Sequence, residues 1–135
     1  MRPDRTLKER LIDFYTAYLH SIYRYDWVRI FVFAGLKGVR ITQRYLALIQ
    51  NKVIVPVAVE LRSLAGDSRD KRSSPSPEEL EIAWGLHGEL FYLAVRRWIY
   101  NMPVRDNLDA LVENAIACFL EGAPAAIRDL GRTGQ

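Results

Sequence analysis

Few residues in this chain are of types that do chemistry. There are two histidines, His20 and His87, one cysteine, Cys118, and a carboxylate, Glu60, that a helical reading sets close to Val53, Pro56 and Val57, as either half of an ion pair or a polar group at a cavity. Nucleophilic catalysis needs a serine or cysteine placed beside a histidine, on a nucleophile elbow or in a triad, and no stretch suggests either. No glycine-rich phosphate loop occurs, and two histidines with one cysteine make a poor metal set, so neither metal nor cofactor is expected. The chemistry left over is acid–base work by His87 and Glu60 in a small helical-bundle enzyme, a minor alternative beside a non-enzymatic reading.

His87 sits in "EIAWGLHGELFYLAVRRWIY", residues 81–100. At ~100° per residue the apolar arc of this helix, counted from Leu80, comes to roughly 220°, against the ~100° stripe that packs one helix on one core. Two contact surfaces are implied. Leu80, Trp84, His87, Phe91, Ala94 and Trp98 form one stripe, and Ile82, Leu86, Leu90 and Leu93 form a second beside it. That much hydrocarbon is tolerated only if the chain wraps it or a second molecule covers it.

The elements that must position these residues read as five helices. The first covers residues 6–23, with Leu7, Leu11, Phe14, Tyr15, Tyr18 and Ile22 on one side and His20 among charges on the other. The second lies in "YDWVRIFVFAGLKG", where Asp26 can cap and Gly35 and Gly38 can end it. The third, residues 42–64, contains the β-branched run "VIVPVAV" but is flanked by strong helix formers, so it reads as one helix kinked between Lys52 and Pro56. Residues 65–77, "AGDSRDKRSSPSP", have the composition of an exposed loop. Ser76, Pro77, Glu78 and Glu79 then start the fourth helix, which runs to about Tyr100. Asp106 or Asn107 caps the fifth, residues 108–121, with Cys118 in its apolar stripe and Gly122 as its stop. Pro124 opens a short turn through Leu130, and residues 131–135 form a frayed tail.

At 135 residues and 50% hydrophobic content, the chain reads as one domain with a full core. One cysteine excludes an internal disulfide framework and fits a reducing compartment. No secretory leader and no uninterrupted apolar run near the ~18 residues of a membrane span is seen, so the expected location is cytoplasmic, without membrane contact. The net charge of +3 and isoelectric point of about 9.2 say little about partners. Lys37, Arg40 and Arg44, with Arg24 and Arg29 nearby, leave open a helical interaction module that binds nucleic acid or an acidic partner.

The expected fold class is all-α: an antiparallel helical bundle whose last two helices form a hairpin. Two such hairpins from two chains would pack as an intermolecular four-helix bundle. The dimer contacts would come from Ile82, Leu86, Leu90 and Leu93, with Ala110, Asn114 and Ala117 on the fifth helix.

The stretches "YDWVRIFVFAGLKG", "RYLALIQNKVIVPVAVELR" and "AWGLHGELFYLAVRRWIYNMPVRDNLDALVENAIACFLEGA" resemble the C-terminal, effector-binding and dimerisation half of TetR/AcrR-type transcriptional regulators. The resemblance covers residues 7–120 and rests on helix order and hydrophobic pattern more than on fixed side chains. It implies that the last two helices form a homodimer bundle and that the first three enclose a mostly apolar cavity for a small-molecule effector. The family's helix-turn-helix has no counterpart before Leu7, so DNA contact is expected only through a domain outside this sequence. The expected ligand-lining residues are His87, Trp84, Phe91 and Trp98, facing Tyr15, Trp27, Phe31, Tyr45 and Glu60. His87 is either a ligand contact or a core histidine satisfied by Glu60 or a tyrosine hydroxyl.

Overall fold

The computed structural model describes residues 5–66 and 74–133, and their regular secondary structure is entirely helical. Six α-helices follow one another: α1 (Leu7–Ile22), α2 (Tyr25–Leu36), α3 (Arg40–Ile49), α4 (Val55–Leu64), α5 (Pro77–Trp98) and α6 (Leu108–Thr133). A π-helical turn, Gln50–Ile54, joins α3 to α4.

Each boundary has a local cause. Thr6 caps α1, its hydroxyl accepting from the Glu9 amide at 3.2 Å. Asp26 does not cap α2 as expected; it lies in the first turn, where a carboxylate still favours the positive helix end, and extended Arg24 occupies the cap position. Gly35 stays inside α2, whereas Gly38, at φ +74°, terminates it. The Val39 amide donates to the Ala34 carbonyl and the Gly38 amide to that of Gly35, the paired bonds of a Schellman motif. Ser76 and Glu79 form a reciprocal capping box at α5 with Pro77 in its first turn. Asn101, at φ 55°, turns the chain after α5, and the Asn107 side-chain oxygen accepts from the Ala110 amide to open α6.

The two prolines are handled differently. Pro56 has no amide proton, and the helix widens just before it: the Val55 amide bonds to the Gln50 carbonyl, five residues back, so the irregularity expected here takes the form of a π turn inside one continuous rod. Pro124 sits inside α6, which runs unbroken through Gly122 to Thr133. The expected stop at Gly122 is therefore corrected, as is the frayed tail for residues 131–133; residues 134–135 lie outside the described residues. Ala123, Ile127 and Gly131 are buried, and Arg128 donates to the Ala65 carbonyl at 3.1 Å, so packing against the end of α4 outweighs the ~3 kcal/mol cost of an interior proline. Of the expected exposed loop, residues 67–73 lie outside the described residues, and Ala65 is buried rather than exposed.

One hydrophobic cluster draws on every helix. In it α5 touches α1, α2, the π turn, α4 and α6, so the chain itself covers most of both apolar stripes. Leu86, Leu90 and Leu93, expected to face a second copy, are buried in this core, Leu90 completely, although Leu86 with half-buried Ile82 also lines a cleft on the outer side. Cys118, by contrast, is exposed on α6 and not a core residue. By length and mean hydropathy, 1.4, Leu108–Gly131 within α6 would suffice to cross a membrane. Here one face packs on α1, α4 and α5, and Glu113 and Glu121 lie on the exposed side.

The core also holds an ion pair. The Arg62 guanidinium donates to both carboxylate oxygens of Glu79, at 3.0 and 2.7 Å, with the two side chains 5% and 0% exposed. Arg62 holds the Glu79 carboxyl below its ordinary range against the opposing effect of burial, which is the larger single influence among several. Glu79 also accepts from the Ser76 amide, so one carboxylate caps α5 and fixes it to α4. Glu79→Gln is expected to destabilise the protein by roughly 3–5 kcal/mol, because a buried, two-pronged charged pair is replaced by contact with a neutral amide. Urea unfolding followed by circular dichroism measures this; a loss under about 1 kcal/mol would show that water reaches the pair.

Candidate ligand site

His87 projects from the middle of α5 toward α1, and the helical repeat of α1 brings two tyrosines to it. Its Nδ1 lies 3.2 Å from the Tyr15 hydroxyl and its Nε2 3.2 Å from the Tyr18 hydroxyl. Trp84 stands edge-on to the imidazole at 5.4 Å, and Trp84 Nε1 donates to the side-chain oxygen of Gln50 at 3.1 Å. The π turn thus supplies the group that orients Trp84. His87 is 3% exposed, and burial pushes its pKa from 6.5 down to about 4, so at neutral pH the ring is uncharged. The same burial raises Tyr15 and Tyr18, both of which stay protonated.

Two open clefts lie beside this line of polar groups. The first, about 400 Å³, opens between α1, α2 and α3 and is lined by Phe14, Tyr18, Ser21, Trp27 and Tyr45 with Ala17 and Ile22. The second, about 270 Å³, lies between α2 and α3 and is lined by Trp27, Ile30, Phe31, Ala34, Ile41, Thr42 and Tyr45. Trp27 and Tyr45 line both. Flat faces dominate: Trp27 stacks on Phe31 at 4.9 Å and 12°, and Phe14 on Tyr18 at 5.9 Å and 14°. Neither cleft is lined by a charged side chain.

The expected ligand residues divide accordingly. Trp27, Phe31 and Tyr45 line the clefts. Tyr15, Trp84 and His87 lie behind them, with His87 held as a core histidine by two tyrosine hydroxyls. Phe91 packs edge-on to Phe31 at 5.6 Å. Trp98 is elsewhere, against Tyr23 and Tyr25 with the Arg97 guanidinium over its ring. Glu60 is also elsewhere: it forms a two-pronged pair with Arg10 of α1, so it neither partners His87 nor lines a cleft. Acid–base chemistry between His87 and Glu60 has no geometric basis. His20, read as solvated, pairs with Asp109 at 2.7 Å on the surface. Tyr18 and Phe14 line the main cleft and were placed only on the apolar side of α1. Their periodicity marked them for burial, but nothing in it marked the cleft.

Exposed hydrocarbon is concentrated on α2 and α3, where Ile30, Phe33, Leu36 and Ile41 are all at least 60% exposed and Leu36 reaches 81%. Arg29, Lys37, Arg40 and Arg44 are exposed on the same helices, and no acidic residue occurs between Asp26 and Glu60. A third cleft, about 360 Å³, runs along the outer side of α5 and α6 past Ile82, Gly85, Glu89, Cys118, Phe119 and Gly122. Of the residues expected at a dimer contact, Ile82, Ala110 and Ala117 are half-buried and Asn114 is exposed. Among the described residues no group of His, Cys, Asp and Glu side chains could hold a metal ion. The chain matches no family model, no curated protein and no solved structure.

An unfolded chain takes up a proton at the imidazole near pH 6.5, whereas the folded one resists to about pH 4. Between these values the unfolded state binds the extra proton, so the His87 contribution is complete above pH 6.5 and is lost as pH falls toward 4. The loss should reach ~3 kcal/mol. Chemical denaturation at half-unit steps from pH 7.5 to 4 should show this slope in the parent protein and its absence in His87→Phe; equal slopes in the two would remove His87 as the titrating group.

Proposed function

We propose that this chain is the effector-sensing and self-associating part of a transcriptional regulator of the TetR/AcrR kind, and that it binds an aromatic small molecule. The observation that carries the reading is the pair of aromatic clefts meeting at Trp27 and Tyr45, lined by flat rings and no charge, with a few hydroxyls at their edge. Small-molecule sites have this composition: apolar walls for affinity and sparse polar groups for orientation. Helix order and hydrophobic pattern support the regulator reading. DNA would be contacted through a helix-turn-helix outside this sequence, and the apolar, basic face of α2 and α3 fits the docking of such a domain. A guest wedged against Tyr45 would press on α3 and its π turn, an irregular segment suited to small shifts, and would act allosterically only if the two arrangements differ in affinity for it.

Self-association fits the outer side of α5 and α6 better than the leucine stripe, because Gly85 and Gly122 open a groove there for a second copy's helix. A Cβ at Gly85 would meet nothing within 4 Å in the single chain and would point into open space. Gly85→Arg therefore leaves the fold intact, while a second copy would collide with it.

Two measurements test the reading. Tryptophan emission should respond saturably to flat aromatic compounds, with Trp27→Ala weakening binding at least tenfold. Sedimentation should give a dimer that Gly85→Arg converts to a monomer with unchanged circular dichroism. A monomeric parent protein that binds no such compound would sink both halves of the proposal.

A further inference from the structure

The hydrogen bonds around His87 have a direction that the geometry decides. A neutral imidazole donates through one nitrogen and accepts through the other. Tyr15 is 1% exposed, and among the described residues its hydroxyl has His87 Nδ1 as its sole hydrogen-bond partner. If Nδ1 carried the ring proton, it would donate to the Tyr15 oxygen and leave the Tyr15 hydroxyl proton in the core with no acceptor, at the full desolvation cost of that group. Tyr15 must therefore donate to Nδ1, which places the ring proton on Nε2. Nε2 then donates to the Tyr18 oxygen, and the Tyr18 hydroxyl proton must turn to a partner other than His87; Tyr18 is itself one of the residues lining the main cleft.

Tyr45, which lines both clefts, is the hydrogen-bond neighbour of the Tyr18 hydroxyl; beside the larger effect of burial, which raises both, that contact raises Tyr18 and lowers Tyr45, so the outward order runs from Tyr18 to Tyr45. Ser21, the remaining hydroxyl, already donates to the Ala17 carbonyl at 2.9 Å. The hydroxyl protons available to a guest are thus phenolic, and no lysine, arginine or carboxylate lines the cleft to meet a charge. The flat faces of Phe14 and Trp27 set the guest's shape.

We infer that the Tyr15–His87–Tyr18 line is proton-ordered outward, so that the cleft between α1, α2 and α3 selects an uncharged, flat aromatic molecule through a hydrogen-bond acceptor such as a carbonyl. This deepens the effector-sensing reading and rests on it for the guest, though not for the proton order. His87 is a positioning residue: it never touches the guest, and it sets which way Tyr18 donates.

The experiment uses a matched pair of three-ring probes, 9-fluorenone and fluorene, which differ in a carbonyl at the same position, together with a fluorenone carboxylate. Titrations followed by tryptophan emission should give fluorenone about fivefold tighter than fluorene, as one net hydrogen bond requires, and the carboxylate weaker than either. The double variant Tyr18→Phe/Tyr45→Phe should bring fluorenone and fluorene within twofold. If fluorene binds as well as fluorenone, the acceptor rule is overturned while the aromatic site stands. If neither binds, the effector-sensing reading of the cleft falls, and the guest class with it. Imidazole ¹⁵N NMR of the parent protein at pH 7, assigned with His20→Gln, tests the proton order independently of any probe or variant fold: protonated Nε2 is expected at His87, and protonated Nδ1 overturns the inference.

Discussion

A helix that is apolar around more than half its circumference must be enclosed, and the architecture of this protein follows from enclosing α5. Helix α6 covers one flank, α1 and α2 the other, and α4 with its π turn completes the surround. Ala83 and Ala94, both buried, let neighbouring backbones approach while the leucines fill the spaces between. Because α5 is used up inside the chain, surplus hydrocarbon falls on α2 and α3, whose outer faces pack against nothing in the described structure.

Enclosure buries the polar side chains of Arg62, Glu79 and His87, and each comes with partners. Glu79 arrives because it caps α5, and Arg62 of α4 arrives to neutralise it. His87 arrives because it lies on the inner stripe, and two tyrosines one helical turn apart on α1 meet its two nitrogens. Both solutions join α5 to a neighbour by hydrogen bonds that hydrophobic packing alone would not specify, and so they fix the rotation and height of α5 against α1 and α4. An imidazole with both nitrogens taken is a poor general base. The same arrangement positions a tyrosine that lines an aromatic cleft.

The irregular backbone lies next to the cluster around His87. The π turn before Pro56 carries Gln50, which holds Trp84, which in turn packs edge-on to His87. A regular helix through this segment would rotate Gln50 relative to α5. Pro124 has no such consequence: α6 absorbs it, because the buried residues on both sides of it bind that helix to α4.

The all-helical class, the caps at Ser76 and Asn107, the passage of one helical rod through Pro56 and the inward stripe of α5 were legible in the sequence, because capping and periodicity are local and their residues lie within a few positions of one another; the π turn that splits the expected third helix was not. Three of the expected cleft residues, Trp27, Phe31 and Tyr45, were legible as aromatic side chains on the inner sides of the first helices. Which of two apolar stripes meets the same chain and which is left for another is not local. The leucines of α5 and the helix continuing through Gly122 and Pro124 were decided by long-range packing, since a stripe states how much surface must be hidden and not what hides it. Glu60 illustrates the same limit: its neighbours on the helix left a paired carboxylate or a polar group at a cavity, and only the fold supplied the partner, Arg10, fifty residues away. The sequence by itself determined an all-helical chain with one over-greasy helix and a histidine on its inner side. Only the tertiary structure decided that two tyrosines hold that histidine and that the open aromatic space lies beside it, because hydrogen-bond partners and voids depend on how helices meet.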